Sequence, residues 1–144
     1  MKNKPRVYIG SDHAAYPEKE FLRDAFKDKF DLIDLGTHSI ESTHYPIYAQ
    51  QLAKSVLEDQ AFGILLCGSG IGMSIAANRY KGIRAALCRN EYDAEMSRKH
   101  NDANVLCLGA RTTSKEVLKK LVEVFFSSEF EGGRHQTRVD LMDR

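Results

Sequence analysis

Five short apolar runs, separated by longer segments of helical periodicity, constrain this chain more than any other feature of it. The runs are Arg6–Gly10, Asp31–Gly36, Gly63–Cys67, Ile83–Cys88 and Val105–Leu108. Each is bounded by glycine or polar residues and is mostly apolar on both faces, as strands buried within a parallel sheet are. Between them, Tyr48, Ala49, Leu52, Ala53, Val56 and Leu57 fall on one helical face. Val117, Leu118, Leu121, Val122, Phe125 and Phe126 repeat that spacing, and Phe21, Leu22, Ala25 and Phe26 make a shorter version. Pro17 and Pro46 stand where first-turn prolines belong, and Ser114 reads as an N-cap.

Alternating strands and helices predict an α/β fold: a doubly wound, Rossmann-like, five-stranded parallel sheet with helices on both faces, in three layers. The 144 residues carry no internal repeat and no linker, so residues 1–144 are expected to form one domain. That length buries a core without disulfides or a structural metal. The segment Glu129–Arg144 differs: after Gly132-Gly133 it holds Arg134, His135, Arg138 and Arg144 with few core residues. It reads as a short terminal helix lying over a neighbouring surface, a partner subunit's being one candidate.

Charge and cysteine usage remove several classes of function. The 21 Lys+Arg against 20 Asp+Glu leave a net charge of +1, so no strong field draws the chain to nucleic acid or an anionic membrane. Met1–Pro5 is basic, but only Val7–Ile9 follows as an apolar run, too short for a signal peptide. No stretch approaches the ~20 apolar residues of a membrane span. Cys67, Cys88 and Cys107 are odd in number and widely spaced, which suits neither a disulfide framework nor a zinc motif. The expectation is a cytoplasmic, reduced protein without metal or organic cofactor.

Ligands of open α/β sheets bind at the carboxyl ends of the strands. The most informative residues there are Cys67-Gly68-Ser69-Gly70-Ile71-Gly72, a strand running into a glycine turn and then a helix. Such a turn presents backbone N–H groups to an anion. Met73 occupies the third glycine's place in a dinucleotide fingerprint, and the acidic residue expected about 20 positions on is absent. No Gly-Lys-Ser/Thr follows to make a P-loop, Cys67 and Ile71 break a hydrolase elbow, and Met73 stands where a cysteine phosphatase needs arginine. What remains is a thiol beside an oxyanion-binding turn. A strand-end cysteine is ordinarily a small hydrophobe, and Cys88 and Cys107 are read so. Cys67 also fits that description, but the adjacent amides favour its thiolate.

Other candidates each have a plain structural reading beside the functional one. Asp12 and His13 follow the first strand, where Asp12 or Ser11 could simply cap a helix. His100 and Asn101 precede the last strand in a commonplace polar loop, and Arg111 follows that strand with no acid near it in sequence. Arg134 and Arg138 share a helical face with no acid between them. That is a solvated basic face, or a pair of guanidiniums suited to a phosphate.

Taken in order, these pieces resemble the ribose-5-phosphate isomerase B / galactose-6-phosphate isomerase family over nearly the whole chain. The resemblance runs through Gly10-Ser11-Asp12-His13-Ala14-Ala15, Asp34-Leu35-Gly36-Thr37, Tyr45-Pro46, the Gly63–Gly72 strand and turn, and Ser74–Arg79. It continues through Gly82–Ala85, His100–Leu106, Gly109-Ala110-Arg111 and Phe130–His135. The resemblance implies that Cys67 is the base shuttling the carbon-bound proton; Met73 stands where another branch of the family places a glutamate. It implies that His100 opens the sugar ring, and that Asp12, His13, Gly68, Ser69, Gly70, Ile71, Gly72, Asn101, Arg111, Arg134 and Arg138 bind substrate. It further implies a homodimer, or dimers paired into a tetramer, with sites shared between subunits. His44 departs from the family, where Asp often precedes Tyr-Pro.

The implied reaction interconverts ribose 5-phosphate and ribulose 5-phosphate through an enediolate, a step of the pentose phosphate pathway. Cys67 would be the base, Ser69 and the N–H groups of Gly70–Ser74 would hold the enediolate oxygens, and arginines would clamp the phosphate. Two rivals stand beside it. One is a galactose-6-phosphate or other hexose-6-phosphate isomerase; the other is a flavodoxin-like module that binds a sugar phosphate without turnover.

Overall fold

The strands and helices alternate along the chain in the computed structural model, which describes residues 4–143. The expectations that touch Met1–Asn3 and Arg144 lie outside those residues. The strands are β1 (Arg6–Ser11), β2 (Asp31–Asp34), β3 (Phe62–Cys67), β4 (Ala85–Leu87) and β5 (Val105–Gly109). The helices are α1 (Tyr16–Phe26), α2 (Tyr45–Asp59), α3 (Ile71–Ala77), α4 (Glu91–Lys99), α5 (Lys115–Ser127) and α6 (Arg134–Leu141). All strand pairs are parallel, in the order β2-β1-β3-β5-β4. After β2 is laid on one side of β1, β3 is laid on the other. The chain therefore reverses direction at the β1/β3 boundary and opens a crevice at their carboxyl ends.

Side-chain alternation along each strand builds two cores. Val7, Ile9, Ile64, Leu66, Leu106 and Leu108 face α1, α4 and α5, meeting Leu22, Phe26, Ala94, Leu118, Leu121 and Phe125. Tyr8, Leu65, Cys67, Val105 and Cys107 face α2 and α3, meeting Leu52, Val56, Met73 and Ala77. Each fully buried leucine or phenylalanine contributes about 1.5–3 kcal/mol relative to exposure. Cys67 thus belongs to the α2/α3 side, at the last position of its strand.

Pro17 and Pro46 sit in the first turns of α1 and α2, and the Ser114 side chain accepts from Val117 N–H, as expected. Leu57 and Val117 do not join the core; they are 38% and 41% exposed, at the margins of their faces. Strand β2 stops at Asp34 because that carboxylate accepts from Gly36 N–H and turns the chain. Edge strand β4 keeps only three of the six residues expected of it. Helix α4, hidden in the sequence, buries only Ala94 and Ser97. Asn90 caps its start, and Arg98 lies over the Phe62 and Phe125 rings with centroid distances of 5.1 and 5.7 Å.

One buried charge ties α1 to β2. Lys19 is fully buried, and its Nζ donates to Asp34 Oδ1 and Oδ2 at 2.8 and 2.7 Å and to Glu20 at 3.1 Å. Desolvation of an ammonium is tolerable only with such partners. Among the described residues no helix is long and apolar enough to cross a membrane.

Candidate active site

The β1/β3 crevice contains a cleft of about 580 Å³ lined by Asp12, Tyr45, Cys67, Gly68, Ser69, Ile71, Gly72, Ile75, Arg111 and Thr112. Its floor is made by backbone. Strand β3 ends at Cys67, and the chain turns sharply at Gly70, whose φ of 79° and whose tight approach to Leu108 and Leu87 exclude a side chain. The turn leads directly into α3, so the Gly70 N–H points back at the Cys67 Sγ, donating at 3.1 Å. Gly72 lies flat beneath the Tyr45 ring, where an added Cβ would stand 2.5 Å from Tyr45 Cε1.

The turn's amides divide into engaged and free groups. Gly70 N–H serves the sulfur, Ile71 N–H donates to Ser69 Oγ at 3.2 Å, and Ser74 N–H donates to Gly70 O at 3.1 Å. The N–H groups of Gly72 and Met73, in the first turn of α3, have no intrahelical acceptor. The range of amides expected to hold an oxyanion narrows accordingly. Met73 itself is fully buried in the α2/α3 core, and its thioether takes no part in the cleft.

Arg111 follows β5 and is fastened to the same turn. Its N–H donates to Gly68 O at 2.9 Å, Ala110 N–H donates to Cys67 O at 2.9 Å, and its guanidinium lies over Gly68. Arg111 has no ion-pair partner among the described residues. Asp12 is buried and does cap: its carboxylate accepts from Ala15 N–H at 3.2 Å while the residue lines the cleft. Asp12 is thus a cap whose residue also borders the cleft. Ser11 Oγ is buried with no hydrogen-bond partner among the described residues. His13 is tied to the loop after β2, since its Nδ1 accepts from Thr43 N–H at 3.0 Å, which leaves the hydrogen on Nε2. His44 is exposed at the N-cap of α2 and makes no side-chain cap.

The three cysteines separate by environment. Burial pushes the Cys88 thiol up to about 11 and Cys107 well above its ordinary value, so both stay protonated and inert. Cys67 alone opens on the cleft.

The remaining predicted residues stand at the other end of the sheet. His100 is the C-cap of α4, ahead of β5, whereas Cys67 pairs with Gly109 at the far end of that strand. Its ring stacks on His135 of α6 with centroids 4.2 Å apart and planes 10° from parallel. Glu131 Oε1 lies 3.7 Å from His100 Nε2 and 3.5 Å from His135 Nε2. Burial, together with the charges of His100, Arg134 and Arg138, holds the His135 imidazole below its ordinary value against the pull of Glu131. Asn101 lines a separate cleft of about 500 Å³ with Asn78, Arg84 and Met142. Arg134 and Arg138 are exposed on α6 and, among the described residues, have no ion-pair partner.

The site residues thus fall into two groups: Asp12, His13, Cys67–Gly72 and Arg111 at the carboxyl end, and His100, Asn101, Arg134 and Arg138 with α4 and α6. Two further cleft residues, Tyr45 and Thr112, fall in the carboxyl-end stretches Gly36–Tyr45 and Gly109–Thr112 where the fold predicts ligands, though neither is among the predicted site residues; Ile75 carries no such signal.

Comparison with known proteins places this architecture among sugar-phosphate isomerases. The Ribose/Galactose Isomerase family model matches residues 7–142. Ribose-5-phosphate isomerase B of Escherichia coli (strain K12) is 43% identical over 137 residues, covering 94% of this chain and 92% of that protein. Ribose-5-P isomerase B of Listeria innocua is 39% identical over 140 residues, covering 96% and 95%. The ribose 5-phosphate isomerase of Thermotoga maritima superposes with a TM-score of 0.95 at 46% identity, over 98% of this chain and 99% of that one. The type B enzyme of Trypanosoma brucei gives 0.92 at 45% identity, covering 96% of each.

Proposed function

This chain belongs to the Ribose/Galactose Isomerase family and is an aldose–ketose isomerase, and we propose that it interconverts ribose 5-phosphate and ribulose 5-phosphate with Cys67 as the base. The observation that carries the reading is the Cys67 sulfur at the floor of the cleft, accepting a hydrogen bond from Gly70 N–H. That bond and the first turn of α3 stabilise negative charge on sulfur.

The proton balance follows from those groups. The thiolate removes the proton from C2 of the open-chain aldose, and the electron pair moves to the carbonyl oxygen as the enediolate forms. The resulting thiol returns the proton to C1 while the O2 hydroxyl proton passes to O1, so that C2 carries the carbonyl of the ketose and O1 its hydroxyl. Ser69 and the free N–H groups of Gly72 and Met73 hold the enediolate oxygens.

Ring opening and phosphate binding are assigned to the second group. His100, with Asn101 beside it, would open the furanose by moving a proton between the ring oxygen and the anomeric hydroxyl. Arg111, Arg134 and Arg138, none of them in an ion pair among the described residues, suit the phosphate, with His13 offering Nε2–H and Asp12 accepting from a sugar hydroxyl. Because the two groups stand at opposite ends of one chain's sheet, the reading includes a homodimer in which each cleft is completed by the partner's amino end.

Turnover on a panel of five- and six-carbon aldose phosphates tests the substrate. Ribose 5-phosphate should give the highest kcat/KM. A preference for galactose 6-phosphate would overturn the five-carbon assignment and leave the base intact.

A further inference from the structure

We propose that Asp102 is a positioning residue for His100, its carboxylate anchoring the turn between α4 and β5; this rests on the ring-opening role assigned to His100. Asp102 has φ 48°, in the left-handed region that residues with a side chain rarely adopt. A residue persists there only where its surroundings hold it. Two arginines do so here. Arg98 Nη1 donates to Asp102 Oδ1 at 2.9 Å, and Arg84 Nη2 stands 3.5 Å from Oδ2. The backbone is gripped by the same residues, since Arg84 Nε donates to Asp102 O at 2.8 Å and Asp102 N–H donates to Arg98 O at 3.2 Å.

Both arginines are fixed in their turn. The Arg98 side chain, 11% exposed over the Phe62 and Phe125 rings, also donates to Ala103 O at 2.7 Å. Arg84 N–H donates to Asn104 Oδ1 at 2.8 Å, and Asn104 Nδ2 donates to Gly82 O at 2.9 Å. One carboxylate therefore joins the end of α4, the loop before β4 and the approach to β5. Glycine would take the same φ without strain, but it would leave a poorly exposed guanidinium without its counter-charge and free the turn to pivot. His100 lies two residues before this anchor. Its own side-chain contacts are the His135 stack and a carboxylate 3.7 Å away, neither of them a hydrogen bond that would fix the ring.

Asp102→Gly tests the carboxylate, because it relieves the backbone and removes only the grip. Its kcat/KM on ribose 5-phosphate should fall by up to about 10²-fold, the cost of a small misplacement, and fall less on ribulose 5-phosphate. Asp102→Asn, which tolerates the angle and still offers Arg98 an acceptor, should recover part of that loss, and it carries the test alone if the glycine protein does not fold. Proton NMR of the imidazoles reads position without turnover. The stack displaces the His100 and His135 ring signals, and in both variants these should move toward unstacked values while those of His13 stay. Parental ring signals in both variants would overturn the proposal. So would a loss as large in a His100→Asn background as in the parent, since Asp102 would then act elsewhere. Moved signals with kcat/KM unchanged on both sugars would instead overturn the role given to His100 and leave Asp102 as the residue that places it.

Discussion

Cys67 and His100 stand at opposite ends of one sheet, and the chain holds them by different means. Around Cys67 every fixed contact is backbone: Gly70 N–H to sulfur, Ala110 N–H to the Cys67 carbonyl, and glycines that leave no room for drift. Around His100 the contacts are side chain to side chain, a stacked imidazole and a carboxylate beyond hydrogen-bond reach. The carboxyl end has a lined cleft with Arg111 as the one lysine or arginine among its lining residues. The α6 side has guanidiniums that are unpaired among the described residues, and no such glycine floor. Under the function proposed above, the difference teaches that one end is preorganised for chemistry on carbon, and the other would supply charge and proton transfer to the partner it meets.

Removing the thiol is the hardest blow to this contrast. Cys67→Ala should lower kcat by about 10²–10⁴-fold, the range for a positioned base, while sugar-phosphate binding survives. Incorporation of solvent deuterium at C2 is the measurement, and near-normal exchange would dissolve the distinction between the ends. Cys88→Ala, in the same assay, should keep its exchange rate and lose stability instead.

Whether the two ends meet only between chains can be asked directly. His100→Asn should lose about 10²–10⁴-fold on the cyclic sugar and less on ribulose 5-phosphate, which cannot close that ring. Refolding equal amounts of Cys67→Ala and His100→Asn chains together should then restore about a quarter of parental activity, from mixed dimers holding one intact site. A mixture as inactive as its parts would mean that the ends do not meet across chains.

A smaller effect is expected from the arginines. Arg134→Ala and Arg138→Ala should each raise KM for ribose 5-phosphate by about 10–150-fold, the equivalent of 1.5–3 kcal/mol per charge-assisted contact. Inorganic phosphate should inhibit both variants more weakly than the parent. An unmoved KM in both returns α6 to a solvated basic face.

The smallest effect concerns a purely structural contact at the amino edge, where the Tyr8 hydroxyl donates to Asp59 at the end of α2. That bond holds the Asp59 carboxyl below its ordinary 3.8, against burial and with help from Arg6. The same bond, with burial, pushes Tyr8 above 10.0. The contribution is therefore present between those two values. It is lost as pH falls through the folded Asp59 value and as pH rises through the folded Tyr8 value. The Tm gap between parent and Tyr8→Phe should be constant in the middle range and close at both extremes, with KM unchanged. A gap that persists in acid would remove Asp59 as its cause.

Much of this was legible in residue order, and the remainder has physical reasons. Runs such as Ile64-Leu65-Leu66-Cys67 announced strands because both faces of a central strand are buried, and the glycine turn after them announced a ligand site. Helix α4 stayed hidden because it is held by a cap and by Arg98 over aromatic rings rather than by an apolar stripe. The order β3-β5-β4 was illegible, since strands name themselves but not their neighbours. In the site, Asp12, Cys67 and Arg111 were read singly and are found on one cleft. That His100 lies away from them follows from α4 running back along the sheet, a matter of topology that no motif spacing carries.

The Lys19 ammonium, sealed against Asp34 and Glu20, makes the molecule its own footprinting standard. An amine-reactive reagent can acylate the exposed lysines at once but must wait at this one until α1 lifts from β2. Its labelling rate, set against the surface lysines as an internal clock, measures how often that single seam opens under native conditions.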